Sequence, residues 1–215
     1  MIQLHYYPGN ASMAPHMVLE ELGIPFQLRY VDRTVAAHKS ADYLKLNPNG
    51  LIPVLVDGDM VLYETAAILL HLADTHPNAN LAPEVGTKER AQFYKWLMWM
   101  TNTLQASLIL YFYPERWVEE GNKPAAAEIK AHAEAKVGGL LDQMDAHLAK
   151  HGGDWFLGKQ FTILDPFAFL LCRWTRGFGR PARSLPHLAP YLQRMLARPA
   201  VKRAFATEKL PEPFV

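Results

Sequence analysis

Apolar and polar positions change rhythm once along the chain. Up to about residue 76 the apolar runs are short and broken by turn residues. Residues 2–7 alternate weakly and predict a strand, residues 8–12 (Pro-Gly-Asn-Ala-Ser) a loop, and residues 13–22 a helix stopped by Gly23. Ile24-Pro25-Phe26 leads into a second strand over residues 27–31. Val54-Leu55-Val56 predicts a third. Pro53 opens it and cannot donate to a ladder, so it belongs at a first or edge position. Asp57-Gly58-Asp59 signals a turn, Met60-Val61-Leu62-Tyr63 a fourth strand, and a helix follows directly from Glu64-Thr65. From Thr87 onward the period is helical. Phe93, Trp96, Leu97, Met100, Leu104, Leu108 and Tyr111 share one stripe, and Ile129, Ala133, Leu140, Leu141, Met144 and Leu148 another, which ends at Gly152-Gly153. Thr162 and Asp165 have the spacing of a capping box before an apolar, buried helix. Two short helices are expected near residues 187–196 and 199–207.

This change of rhythm divides the chain into an α/β domain at residues 1–76, a proline-flanked linker at 77–86, and an all-helical domain at 87–215. Half the residues are hydrophobic and 20% are charged, enough to bury a core. A formal net charge of +1 gives no support for nucleic-acid binding. One cysteine excludes an intrachain disulfide. The first residues do not read as a secretory signal, and no apolar run is long enough to span a bilayer, so a cytoplasmic, membrane-free protein is expected.

The chemistry begins at two motifs, residues 50–55 (Gly-Leu-Ile-Pro-Val-Leu) and 63–68 (Tyr-Glu-Thr-Ala-Ala-Ile). A helix that starts on Thr65 leaves backbone N–H groups pointing outward, where a carboxylate can dock. An exposed strand edge beside it suits an extended peptide. Together with Tyr6-Tyr7-Pro8-Gly9, Asn47-Pro48-Asn49 and Phe161-Thr162-Ile163-Leu164-Asp165, these motifs resemble those of cytosolic glutathione transferases, nearest the bacterial beta class and its theta- and delta-like relatives. The resemblance covers essentially the whole chain.

It implies a thioredoxin-like N-terminal domain, an all-α C-terminal domain, glutathione as co-substrate, no metal, and a two-fold homodimer. It also implies a cis bond between Ile52 and Pro53. Thr65 is expected to hold the γ-glutamyl carboxylate and Glu64 the ammonium. Leu51, Ile52 and Pro53 would line the cysteinyl unit, with the Ile52 backbone paired to it, and His38 or Lys39 would face the glycyl carboxylate. The reaction is thiol activation for attack on a small apolar electrophile, as in detoxification. Lowering a thiol pKa from ~8.5 by about two units takes roughly 2.7 kcal/mol, which a positive helix end and one hydrogen bond can supply. The donor is open among Asn10, Ser12 and Tyr6. The beta-class cysteine position holds Ala11, the theta- and delta-class serine position holds Asn10, and Gln105 stands where beta-class enzymes carry a histidine. Thr103, Ser107, Tyr111 and Trp174 are the candidates for an electrophile pocket, expected between the domains.

Two other readings stay open: a glutathione-dependent disulfide or peroxide reductase of the same fold, and a non-catalytic binding or assembly module. His147 and His151 have the spacing of a metal pair but no acidic or cysteine partner nearby. Cys172 lies in the apolar helix and reads as an inert thiol. Gly177-Phe178-Gly179 lacks the third glycine of a dinucleotide motif.

Overall fold

The computed structural model describes all 215 residues. They form two compact units. The first comprises Met1–Ala82 with Met195–Glu212, and the second Pro83–Arg194 with Pro213–Val215.

The first unit is built on a four-stranded sheet of β1 (Ile2–Tyr6), β2 (Phe26–Tyr30), β3 (Val54–Asp57) and β4 (Met60–Tyr63), in the order β2-β1-β3-β4. β1 and β2 are parallel and the other pairs antiparallel. Helix α1 (Met13–Leu22) makes the crossover from β1 to β2, and Gly23 ends it in the left-handed conformation expected of a C-terminal glycine. α2 (Ala41–Leu46) lies in the connection to β3, and α3 (Thr65–Thr75) follows β4 without a loop. Ile2 and Leu4 alternate inward from β1, while Val54 and Leu55 are both fully buried because β3 is covered on both faces. One small core joins Val31, Tyr43, Ile52 and Val54, with Tyr7 and Ala37 packed against it.

β3 is therefore an interior strand, and Pro53 stands one residue before it. The expectation of a proline at a strand start holds, and that of an exposed strand edge does not. Only the approach to β3, residues 51–53, is unpaired.

The segment Met195–Glu212, expected in the helical domain, clusters with the sheet. Its helix α9 (Pro199–Glu208) packs on α1 through side chains that sequence periodicity cannot pair. Arg198 forms a bidentate pair with Glu21, Arg203 pairs with Glu20, and the buried Glu208 bonds His16.

The second unit is helical. α4 (Lys88–Trp99) runs through a π-helical stretch (Met100–Gln105) into α5 (Ala106–Phe112), and α6 (Lys123–His151) packs along α5. α7 (Leu164–Trp174) is buried from Leu164 to Arg173. α8 (Leu188–Ala197) begins in this unit. The Thr162–Asp165 box forms as expected: Asp165 Oδ2 accepts from the Thr162 N–H at 2.8 Å, and Thr162 Oγ1 accepts from the Leu164 N–H at 3.3 Å. The same buried carboxylate, through Oδ1, accepts from the Phe156 N–H at 2.7 Å and the Tyr191 hydroxyl at 3.0 Å. Asp165→Ala leaves the Thr162 and Phe156 N–H groups buried without this acceptor and is expected to destabilise the protein by about 2–4 kcal/mol. Urea unfolding measures this, and a loss below about 1 kcal/mol contradicts the role given to Asp165.

Candidate functional site

The strand register brings three segments to one end of the sheet. Val54, the first residue of β3, pairs with His5 on one side and Tyr63 on the other. β1 ends at Tyr6 and β4 at Tyr63. The loop at residues 8–12, the unpaired approach at 51–53, and the Glu64–Thr65 junction therefore emerge side by side. β2 is parallel to β1, so residues 31–39 leave the same end.

Each segment is held by specific bonds. The Leu51 carbonyl accepts from the Tyr43 hydroxyl and from Asn47 Nδ2, both at 2.9 Å. Asn47 Oδ1 in turn accepts from the Asn49 N–H. These contacts fix the entry into Ile52 and Pro53, both buried and joined by a cis bond, as the resemblance implies. Burial holds the Tyr43 phenol well above its ordinary pKa, so it remains a neutral donor. Tyr43 was not among the sequence candidates, and Asn47 entered only as part of the Asn47-Pro48-Asn49 motif, with no role given to its side chain. Gly50 has φ +58°, and an added Cβ would lie 2.9 Å from the His38 carbonyl oxygen and 2.8 Å from Lys39 Nζ. Lys39 donates to the Asn49 carbonyl at 3.1 Å. His38 is half-buried and Lys39 exposed, both in the short turn Ala37–Lys39.

At the third segment Glu64 has φ +74°, an uncommon conformation for a residue with a side chain. Such strain runs to about 1–3 kcal/mol and concentrates at ligand sites. It turns the chain from β4 into α3 with no intervening loop. Glu64 is exposed, Thr65 is buried, and no side chain caps α3. The first turn of α3 has no acidic residue, and the nearest carboxylate is that of the exposed Glu64 at the N-cap position, which makes no cap bond.

The loop after β1 separates the three thiol-donor candidates. Ser12 is fully buried, and its hydroxyl exchanges bonds with the Tyr7 N–H and carbonyl at 3.3 and 3.2 Å. Tyr6 shares the face of Leu4 and lies beside His16 of α1, ring centroids 6.4 Å apart. Burial first, then the Glu208 charge, raise its phenol pKa. Asn10 is half-buried and accepts from the Ala11 N–H through Oδ1, and its Nδ2 makes no bond within the chain. Neither Asn10 nor Ser12 caps α1, whose first turn also has no acidic residue. Two helix N-termini, α1 and α3, thus open at one end of the sheet with no side chain closing them.

Comparison with known proteins decides the family. Sequence models of the glutathione S-transferase N-terminal and C-terminal domains match residues 11–75 and 112–208. The chain is 34% identical over 211 residues to glutathione S-transferase GST-4.5 of Xanthomonas campestris, covering 97% of this chain and all of that one. It is 32% identical over 212 residues to GstA of Escherichia coli O157:H7, with 97% and 100% coverage. The chain belongs to the glutathione S-transferase family. A solved homologue from Sulfitobacter with bound glutathione superposes on this transferase with a TM-score of 0.89 at 27% identity, covering 98% and 99% of the two chains.

In the helical unit of the transferase, Thr103 and Gln105 are half-buried in the π-helical stretch. Ser107 is buried, and its hydroxyl donates to the Thr103 carbonyl at 2.7 Å, which occupies its only proton. Tyr111 is half-buried, its ring centroid 4.2 Å from that of Phe178, with Lys130 Nζ 4.8 Å from the Tyr111 ring. Trp174 packs near Phe112 at 6.2 Å. Phe178, Phe112 and Lys130 were not among the sequence candidates. His147 and His151 are engaged locally: His147 Nε2 bonds the Phe156 carbonyl at 2.7 Å, and His151 Nδ1 accepts from the Gly153 N–H at 2.9 Å. Burial raises the Cys172 thiol pKa to about 12. No helix is long and apolar enough to cross a membrane.

Gly50→Ala forces a side chain into left-handed backbone and against the His38 carbonyl. It is expected to cost at least about 1–2 kcal/mol of stability. It should also weaken glutathione binding more than Gly58→Ala, which has φ +62° but open space. Equal losses of binding in the two variants would separate the Ala37–Lys39 turn from the ligand site.

Proposed function

We propose that this transferase activates the thiol of bound glutathione for attack on small apolar electrophiles, with Asn10 Nδ2 as the hydrogen-bond donor to the sulfur. The observation that carries this reading is the pair of uncapped helix ends. α3 presents the Thr65 hydroxyl and N–H to the γ-glutamyl carboxylate, with Glu64 for the ammonium. The Ile52 backbone, beyond the last ladder pair, is available to the cysteinyl unit in the manner of an added strand. α1 begins just after Asn10 and Ser12, so a sulfur there meets a positive helix end and an amide whose Nδ2 has no other partner. Ser12 is assigned to bracing the loop, because Tyr7 occupies its hydroxyl. His38 and Lys39 are the residues for the glycyl carboxylate. Tyr111 and Trp174, with their aromatic neighbours, suit an apolar electrophile. A two-fold dimer belongs to this reading on the strength of family membership.

The step itself is simple. Glutathione loses its thiol proton to solvent, and the thiolate is held by Asn10 and the α1 terminus. Its electron pair then forms the carbon–sulfur bond as the electrophile's leaving group departs. Ala11 at the beta-class cysteine position and the depth of Cys172 favour this route over a mixed disulfide with the protein.

Thr65→Ala is expected to weaken glutathione binding by about 1.5–3 kcal/mol, the range for a hydrogen bond to a charged group. Titration calorimetry reads this directly, and a change of a few tenths would remove Thr65 from the carboxylate site. Asn10→Ala is expected to raise the pKa of the bound thiol by about 1–2 units, since that much free energy separates its two protonation states. Ultraviolet absorbance of the thiolate against pH measures the midpoint. An unmoved midpoint transfers the role to another donor.

A further inference from the structure

The Asn10 loop is fastened from beneath by a residue far away in sequence. Glu208, at the last turn of α9, has a fully buried side chain. Its Oε2 accepts from the Gly9 N–H at 2.8 Å, and its Oε1 meets His16 Nδ1 at 2.8 Å. Against a carboxylate, His16 holds its proton on Nδ1. Two donors, one per oxygen, thus satisfy a buried carboxylate that would otherwise be expensive to keep from water. The other ionisable groups around it are Glu20, whose Oε1 lies 3.8 Å from His16 Nε2, and Tyr6, which feels the Glu208 charge. Two residues beyond Glu208, Leu210 reaches within 3.5 Å of where a Cβ on Gly9 would lie. Gly9 has φ +68° and immediately precedes Asn10. The Asn10 N–H then closes the turn onto the Tyr7 carbonyl at 3.1 Å.

We infer that Glu208 is a positioning residue for thiol activation: by holding the Gly9 N–H and His16 together it sets the direction in which the Asn10 amide and the α1 terminus face. The inference rests on the proposed reading of Asn10. Glu208 does not touch the substrate. A fault there acts on the state of the thiol and leaves the grip of Thr65 and Ile52 on the peptide intact.

The test compares the full-length wild type with Glu208→Gln, which keeps size but removes the charge and leaves one acceptor oxygen beside an amide donor. Loss of the carboxylate charge alone would lower the bound-thiol midpoint, as that charge raises the Tyr6 pKa, whereas loss of the Asn10 placement raises it; the expected net result is an upward shift of roughly one pH unit, a tenfold smaller thiolate-to-thiol ratio at neutral pH. The glutathione dissociation constant stays within about twofold, and kcat recovers at alkaline pH. Arg203→Ala removes a different α9–α1 pair and should leave the midpoint in place. Glu208→Asp keeps the charge but withdraws it by one methylene, and should give a smaller shift in the same direction; it serves if the glutamine variant does not fold. An unshifted midpoint in either folded variant overturns the inference, as does an equal shift in Arg203→Ala. If wild type binds glutathione but Asn10→Ala leaves its midpoint unmoved, the reading of Asn10 falls first and the inference with it.

Discussion

The backbone pairing of β3 governs everything at the functional end of this protein. β3 is hydrogen-bonded on both sides, to β1 and to β4, but only over Val54–Asp57. Both ladders stop at Val54, so the chain just before it must pass the sheet end unpaired. Its outer partners leave the sheet at the same level, one toward α1 and one toward α3. A strand bounded in this way gathers two helix starts and a stretch of free backbone without any long-range side-chain contact. Tyr43 and Asn47 then fix the entry by holding the Leu51 carbonyl.

Electrostatics follows from that placement. Neither α1 nor α3 has an acidic residue in its first turn or a side-chain cap, although Asn10, Ser12 and Thr65 are residue types that commonly supply one. Helix ends left open in this way carry partial positive charge toward whatever lies beyond the sheet. On the proposed reading, the carboxylate and the thiol of an acidic tripeptide each meet that field. The strained backbone at Glu64 fits the same picture, because it lets β4 run directly into α3.

What could be seen in the sequence was what depends on near neighbours. Gly23 ends α1 because a left-handed residue is needed there. Thr162 and Asp165 find each other because they are three apart. The motifs were legible as a family pattern, and with them the sheet, an α/β part followed by a helical part, and the Ile52–Pro53 bond. Hidden were the features decided by meetings across the fold. Ser12 and Asn10 look equivalent in one dimension, and only the Tyr7 backbone separates them. The position of Pro53 allowed an edge strand or a strand start, and the choice required knowing that β4 pairs outside β3. α9 was placed with the helical domain because nothing in its own periodicity marks Arg198, Arg203 and Glu208 as partners of α1. Periodicity reports which face of a helix is covered, but not by what.

The burial of Cys172 has a practical side. Its thiol is the only one in the chain, and its surroundings raise its pKa to about 12. At neutral pH that buried, protonated thiol therefore adds little to alkylation or to a sulfur-anion signal. Any such signal from a mixture with the tripeptide comes from the guest, and the host supplies its own blank.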